Sequence, residues 1–216
     1  MDELDLLKKD WQKKGDDLPK LSYNDIYQMI WKKSSSIVKW IFYISIIEFT
    51  LPHLFLLIPS IHKNLAIYEA LGLQNFMLVF SVIQYSVIVY FIYKFYIRYR
   101  EITVLDDSKN LMKKILLTRK TVKNYVLSSL SMILFISAAV VFTIYLKDTI
   151  ELSNYKLFLE IAKKTSVEKV KPILMFAFTI AGLGMTLLLG GLYFLLYGIL
   201  LKKLKRNYGE LKKLEI

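Results

Sequence analysis

The chain has 216 residues, 55% of them hydrophobic and 22% charged, and its 30 lysines and arginines against 18 acidic residues give a net charge of +12. Its mean hydropathy of +0.41 is too high for an ordinary soluble domain, whose apolar share is about 45–50%. The absence of cysteine excludes disulfides, thiolate metal sites, cysteine nucleophiles and iron–sulfur clusters, and two histidines, His53 and His62, are too few for a multi-histidine iron centre, so neither metal nor cofactor is expected.

In chain order, residues 1–36 read as two short cytoplasmic amphipathic helices broken at Gly15, Asp16, Asp17, Leu18 and Pro19. Leu4, Leu7 and Trp11 share one face of the first. The second has Ser22 as its N-cap and Asp25 in its first turn, sets Ile26, Met29, Ile30 and Lys33 on one side, and leads into a membrane span through Ser34, Ser35 and Ser36. Two roles fit this segment. It either lies on the inner leaflet with Trp11, Trp31 and Trp40 as interfacial anchors, or offers Leu4, Leu7 and Trp11 as a docking face for a cytosolic protein.

A bilayer core of about 30 Å needs roughly 20 apolar helical residues. Four runs meet that requirement, at 37–58, 75–97, 126–146 and 172–201. The fourth would reach about 45 Å, too short for two crossings, and reads as one tilted or protruding helix. The expected fold is therefore an all-α integral membrane four-helix bundle over 37–201, with a basic cytoplasmic tail at 202–216. The first apolar run follows a long charged stretch without a small-residue cleavage site, so the N-terminal segment is expected to be retained.

The central loop carries Arg98, Arg100, Lys109, Lys113, Lys114, Arg119, Lys120 and Lys123 against Glu101, Asp106 and Asp107, and the tail adds Lys202, Lys203, Lys205, Arg206, Lys212 and Lys213. The first outer loop has only Lys63, and the third loop is more balanced. This bias puts both termini and the central loop in the cytoplasm. Attraction to anionic lipid accounts for the basic residues, and no nucleic-acid partner is expected. Leu105, Leu111, Met112, Ile115, Leu116 and Leu117 make part of the central loop helical, as an extension of the second and third helices. In the third loop, Tyr155, Phe158, Leu159 and Ala162 suggest a further short helix over 154–164.

Glu48 stands near the middle of the first span, where an ionisable side chain is costly and marks a candidate site. Pro52 lacks the amide that would bond the Glu48 carbonyl, His53 follows above it, and Gln84 lies at comparable depth on the second span. Glu48, His53 and Gln84 thus form a candidate polar site. A structural role is favoured, in which Glu48 bonds Gln84 or a hydroxyl such as Ser131 or Ser137 and fixes helix pairing. A proton or ion path is the alternative, weakened by the lack of a second deep carboxylate.

In the fourth span Ala177, Gly184, Gly191 and Gly198 recur every seven residues, with Ala181, Gly182 and Gly190 nearby. A stripe of small residues permits close helix approach, either within the chain or in a homodimer through the fourth span. Tyr85, Tyr90, Tyr93, Tyr96 and Tyr99 read as aromatic belt and packing. No phosphate loop, nucleophile elbow or zinc motif occurs, so no catalytic residue is assigned.

Leu18-Pro19-Lys20-Leu21-Ser22, Ile26-Tyr27, the run from Trp31 to Trp40 and the opening Asp5-Leu6-Leu7-Lys8-Lys9-Asp10-Trp11 resemble the start of an uncharacterised family of small bacterial four-helix membrane proteins. That resemblance covers roughly the first fifty residues. It implies the bacterial inner membrane, and an association with sigma-factor gene neighbourhoods implies that the N-terminal segment acts as a membrane-tethered anti-sigma element. Some members carry the label beta-carotene monooxygenase, which the two histidines here do not support. The functional expectation is a non-enzymatic multi-pass protein that tethers or regulates a cytosolic partner such as a sigma factor. The alternative is a small transporter or channel with a polar site at Glu48.

Overall fold

The computed structural model describes residue 8 and residues 22–56, 71–103, 106–146 and 167–214. Leu4, Leu7, Trp11, the helix expected over 154–164 and the side chain of His53 lie outside the described residues. Every element among the described residues is helical: α1 (Tyr23–Leu56), α2 (Gln74–Thr103), α3 (Ser108–Leu146), α4 (Val167–Tyr193), a π-helical turn (Phe194–Gly198) and α5 (Ile199–Leu214). The last three run on without a break, so the described residues form four long helices. Each is long and apolar enough to cross a membrane.

All four outrun the apolar stretches that the sequence marks. α1 has 34 residues, α3 has 39 and the last rod, Lys169–Leu214, has 46, or roughly 50, 60 and 70 Å against a bilayer core of about 30 Å. The overhangs gather at one end, formed by the start of α1, the end of α2, the start of α3 and α5. We term this the basic end. Residues 202–214, expected as a tail, form α5, which packs on α1 and α3. The three serines before the first span are helix interior rather than a joint. Ser34 is fully buried and accepts a 2.9 Å hydrogen bond from Asn207 Nδ2 of α5, so its small side chain is what lets the two helices approach.

Burial follows the same division. In the apolar windows of the last three long helices only 11% of residues are buried, and side chains such as Leu187, Phe194 and Phe176 point outward, so the apolar surface there is on the outside. The main core instead occupies the basic end, where Ile30, Ile102, Ile115, Val122, Leu204 and Leu211 pack together. A smaller core of Leu71, Leu73, Val140, Ile144, Val170 and Leu174 closes the far end. Gly72 between the two leucines has φ 66°, a conformation glycine adopts without steric cost, and this turn admits both leucines to the core.

The corner between α2 and α3 is tied by donors from both neighbours. Ser22 and Asp25 cap α1 reciprocally, the Asp25 amide donating to Ser22 Oγ at 3.2 Å and the Ser22 amide to Asp25 Oδ2 at 3.0 Å. One turn on, Tyr27 donates its hydroxyl to the Asp106 carbonyl, and Trp31 Nε1 donates to the Ile102 carbonyl at 2.9 Å. Lys114 Nζ bonds the Glu101 carbonyl at 2.8 Å and pairs with Asp106 Oδ2 at 3.0 Å. Carbonyls at the end of α2 that have no partner in their own helix are thereby satisfied from α1 and α3. The Lys114 ammonium, followed by the Asp107 amide and the Asn110 side chain, holds the Asp106 carboxyl below its ordinary value of 3.8.

Candidate functional site

Glu48 reaches inward from α1 and is half-buried. Its partner is Tyr197 of the π turn, whose hydroxyl donates to Glu48 Oε2 at 2.9 Å. Tyr125 on α3 and Tyr193 on α4 stand beside Tyr197 in the same ring cluster. The three tyrosines are buried. Their rings form one cluster: Tyr125 stands edge-on to Tyr193 and Tyr197 with centroids 5.9 Å away, and edge-on to Phe91 and Phe95 of α2 at 5.4 Å. All four long helices therefore meet around Glu48.

The local backbone suits this meeting. π turns inside α-helices are rare and concentrate at functional sites, because the widened turn re-aims side chains and loosens the backbone ladder. Here the π turn runs from Phe194 to Gly198 and carries Tyr197 to the carboxylate, with Tyr193 one turn before it. On the opposite side Pro52 lies inside α1 four residues beyond Glu48, so the Glu48 carbonyl has no amide to accept from.

Of the expected trio, the His53 side chain lies outside the described residues. Gln84 is half-buried on α2, but no hydrogen bond joins it to Glu48. At that level the contact between α1 and α2 is instead aromatic, with Phe49 and Tyr85 edge to face at 6.2 Å. Neither hydroxyl expected as a partner serves, since Ser131 is exposed and Ser137 donates to the Ile133 carbonyl of its own helix. Tyr125, Tyr193 and Tyr197 lie outside the belt of second-span tyrosines, and composition alone gives them no role. The available signal was Tyr193 and Tyr197, the two tyrosines of a mainly apolar span, at a spacing of four and both capable of donating to an acid that needs donors.

Chemically, a carboxylate offers about four acceptor sites, of which the Tyr197 hydroxyl fills one. An acid bonded to a phenol inside an apolar span is a candidate point on a proton or cation path. Among the described residues no ion pair involves Glu48.

The stripe of small residues faces elsewhere. Ala177, Ala181, Gly184 and Gly191 are exposed, no atom of another helix stands within 4 Å of a methyl placed at Gly184 or Gly191, and Gly198 meets only the Phe194 ring of its own rod. Within the chain the close contact is made by Gly182, which is buried against Ser137 of α3, with Gly190 beside Leu130. The inward stripe of α4 is Val170, Leu174, Gly182 and Tyr193, and a strict repeat of seven drifts about 20° per repeat on a straight helix and cannot follow it.

A family model described as a domain of unknown function (DUF8845) matches residues 24–216. No curated protein and no solved structure matches the chain.

Proposed function

The chain belongs to the DUF8845 family of unknown function, and we propose that it is a non-enzymatic multi-pass protein of the bacterial inner membrane that tethers a cytosolic regulatory protein, such as a sigma factor, through its N-terminal helices. The four apolar helices with outward-facing leucines and phenylalanines support the membrane reading. The lysines and arginines collected at the basic end support placing that end, and with it both termini, in the cytoplasm.

The observation that carries the tether is the pinning of α1 beyond the apolar band. Ser22 caps the helix, and Tyr27 and Trp31 bond the α2–α3 corner one and two turns later. The start of α1 at Ser22 is thus held against the α2–α3 corner, which gives an attached docking arm a firm base. Leu4, Leu7 and Trp11 precede the region the family model matches, so the bundle is the shared frame and the arm is what it presents.

Affinity purification of the full chain from gently solubilised membranes, beside a variant with Leu4, Leu7 and Trp11 changed to alanine, tests this. The expected result is a cytosolic protein retained by the native chain and lost from the variant. Equal recovery from both, or no specific partner in either, would remove the tether.

The Glu48 shell supports a second reading, in which Glu48 and its tyrosines bind a proton or small cation in a transport path. Under that reading Glu48→Gln abolishes proton or monovalent-cation flux in proteoliposomes while the protein stays folded; undiminished flux, or no flux with the native chain, rejects it.

A further inference from the structure

At the basic end a cavity of about 220 Å³ opens between α2 and α3. Three cations line it, Lys94 and Arg98 from α2 and Lys120 from α3, joined by Tyr90 and Asn124, with no acidic residue in its lining. The charges are not neutralised from nearby in equal measure. Arg98 spends one terminal nitrogen on Glu101 at 2.6 Å, while its Nε is buried without a partner. Lys94 lies over the Tyr90 ring, 5.4 Å from its centroid, and has no carboxylate bonded to it. A buried guanidinium nitrogen without an acceptor is costly, and two further cations beside it call for an anion.

Depth decides which anion. On α2 the apolar run ends at Ile97, between Arg98 and Lys94; on α3 Leu117 to Asn124 stop just short of the run that begins at Val126. The cavity therefore straddles the edge of the apolar band, where lysine and arginine stems can lie along hydrocarbon with their heads among phosphates. Phe91 and Leu117 add apolar wall beside the cations, which suits glycerol and the first acyl carbons and serves no purpose for a free ion.

We propose that this cavity binds the headgroup phosphate of an anionic phospholipid of the inner leaflet. The assignment rests on reading the helices as membrane spans, and goes beyond the tether and the Glu48 site. Lys94, Arg98 and Lys120 hold the phosphate, and the Arg98 Nε–H gains the acceptor it lacks. Asn124 and Tyr90 stand where the glycerol hydroxyls of a phosphatidylglycerol headgroup arrive. The groove between α1 and α5 is a natural comparison: it also has three cations, Lys33, Lys203 and Arg206, but Glu210 lines it and pairs with Arg206 at 2.9 Å.

The test uses the full-length protein in neutral detergent, with phosphatidylglycerol or phosphatidylcholine added and bound lipid counted by native mass spectrometry. Phosphatidylglycerol is expected to bind in preference, and the Lys94→Gln/Lys120→Gln variant to bind it at least about tenfold more weakly. Lys33→Gln/Lys203→Gln should leave binding within about twofold. Lys120→Gln alone, at an exposed position that cannot unfold the protein, should weaken binding about threefold or more. Equal losses from both double variants would reduce the effect to general surface charge and overturn the site. Displacement of the lipid by millimolar inorganic phosphate would also overturn it, in favour of a free-anion site. A membrane protein that binds both lipids alike fails the proposal while leaving the tether untouched.

Discussion

Glu48→Leu is expected to lower the unfolding free energy of the solubilised protein by about 2–4 kcal/mol, whereas Glu48→Gln costs about 1 kcal/mol or less. The asymmetry follows from what surrounds the group. Leucine fills a similar volume but leaves the buried Tyr197 hydroxyl without its 2.9 Å acceptor. Glutamine keeps one carbonyl oxygen for Tyr197 and brings an amide that the other phenol oxygens can accept from, since hydroxyls rotate to suit. Tyr197→Phe removes the hydroxyl that bonds Glu48 but leaves no hydroxyl of its own unpaired, so its cost should fall between the two Glu48 variants. Denaturant or thermal unfolding in one detergent compares all three. If leucine is tolerated as well as glutamine, the carboxylate is not what joins α1 to α3 and the π turn. The comparison also makes the flux experiment interpretable, because a glutamine variant that keeps its shell changes charge without changing fold.

How far the sequence reaches can be seen at this cluster. Periodicity and hydropathy locate all four helices, because a run of about 20 apolar residues has few alternatives. They also single out Glu48, since an acid among leucines is conspicuous. They do not find its partner, which lies 149 residues away on a turn whose π geometry leaves no compositional mark. Helix ends fail in a related way. Apolar runs mark where lipid would be, not where a helix stops: the leucines of the central loop do reveal the extension of α3, but the last rod runs on through residues read as a tail because Leu204 and Leu211 join Leu111 and Ile115 in a core. Trp31 shows the limit at one residue. As an interfacial anchor it reads as surface, yet its indole N–H satisfies the Ile102 carbonyl, a pairing only the crossing of α1 and α2 can reveal. Ser22 and Asp25, by contrast, are adjacent enough for the sequence alone to predict their reciprocal cap.

The glycines of α4 allow the sharpest discrimination between what packs within the chain and what packs outside it. A methyl group at Gly182 would fall inside the contact distance of both Oγ and Cβ of Ser137, atoms next to the α3 backbone that cannot swing away. Gly182→Ala is therefore expected to destabilise by about 1–3 kcal/mol from overpacking, even after the helix gains about 1 kcal/mol from losing a glycine. Gly182→Leu should leave little folded protein. Ser137→Gly removes the two atoms that the new methyl meets, so Gly182→Ala/Ser137→Gly should recover most of the loss, a coupling that only direct contact produces. Gly184→Ala and Gly191→Ala are the counterpart. With no atom of another helix within 4 Å, each should be neutral or stabilising by up to about 1 kcal/mol in a monomer. A chain whose mass in detergent is that of a dimer, and which Gly184→Leu converts to a monomer without loss of helicity, uses the outward stripe of Ala177, Ala181, Gly184 and Gly191 as its seam. A chain that is monomeric throughout leaves those glycines facing lipid, and Gly182 as the position where α4 requires the absence of a side chain.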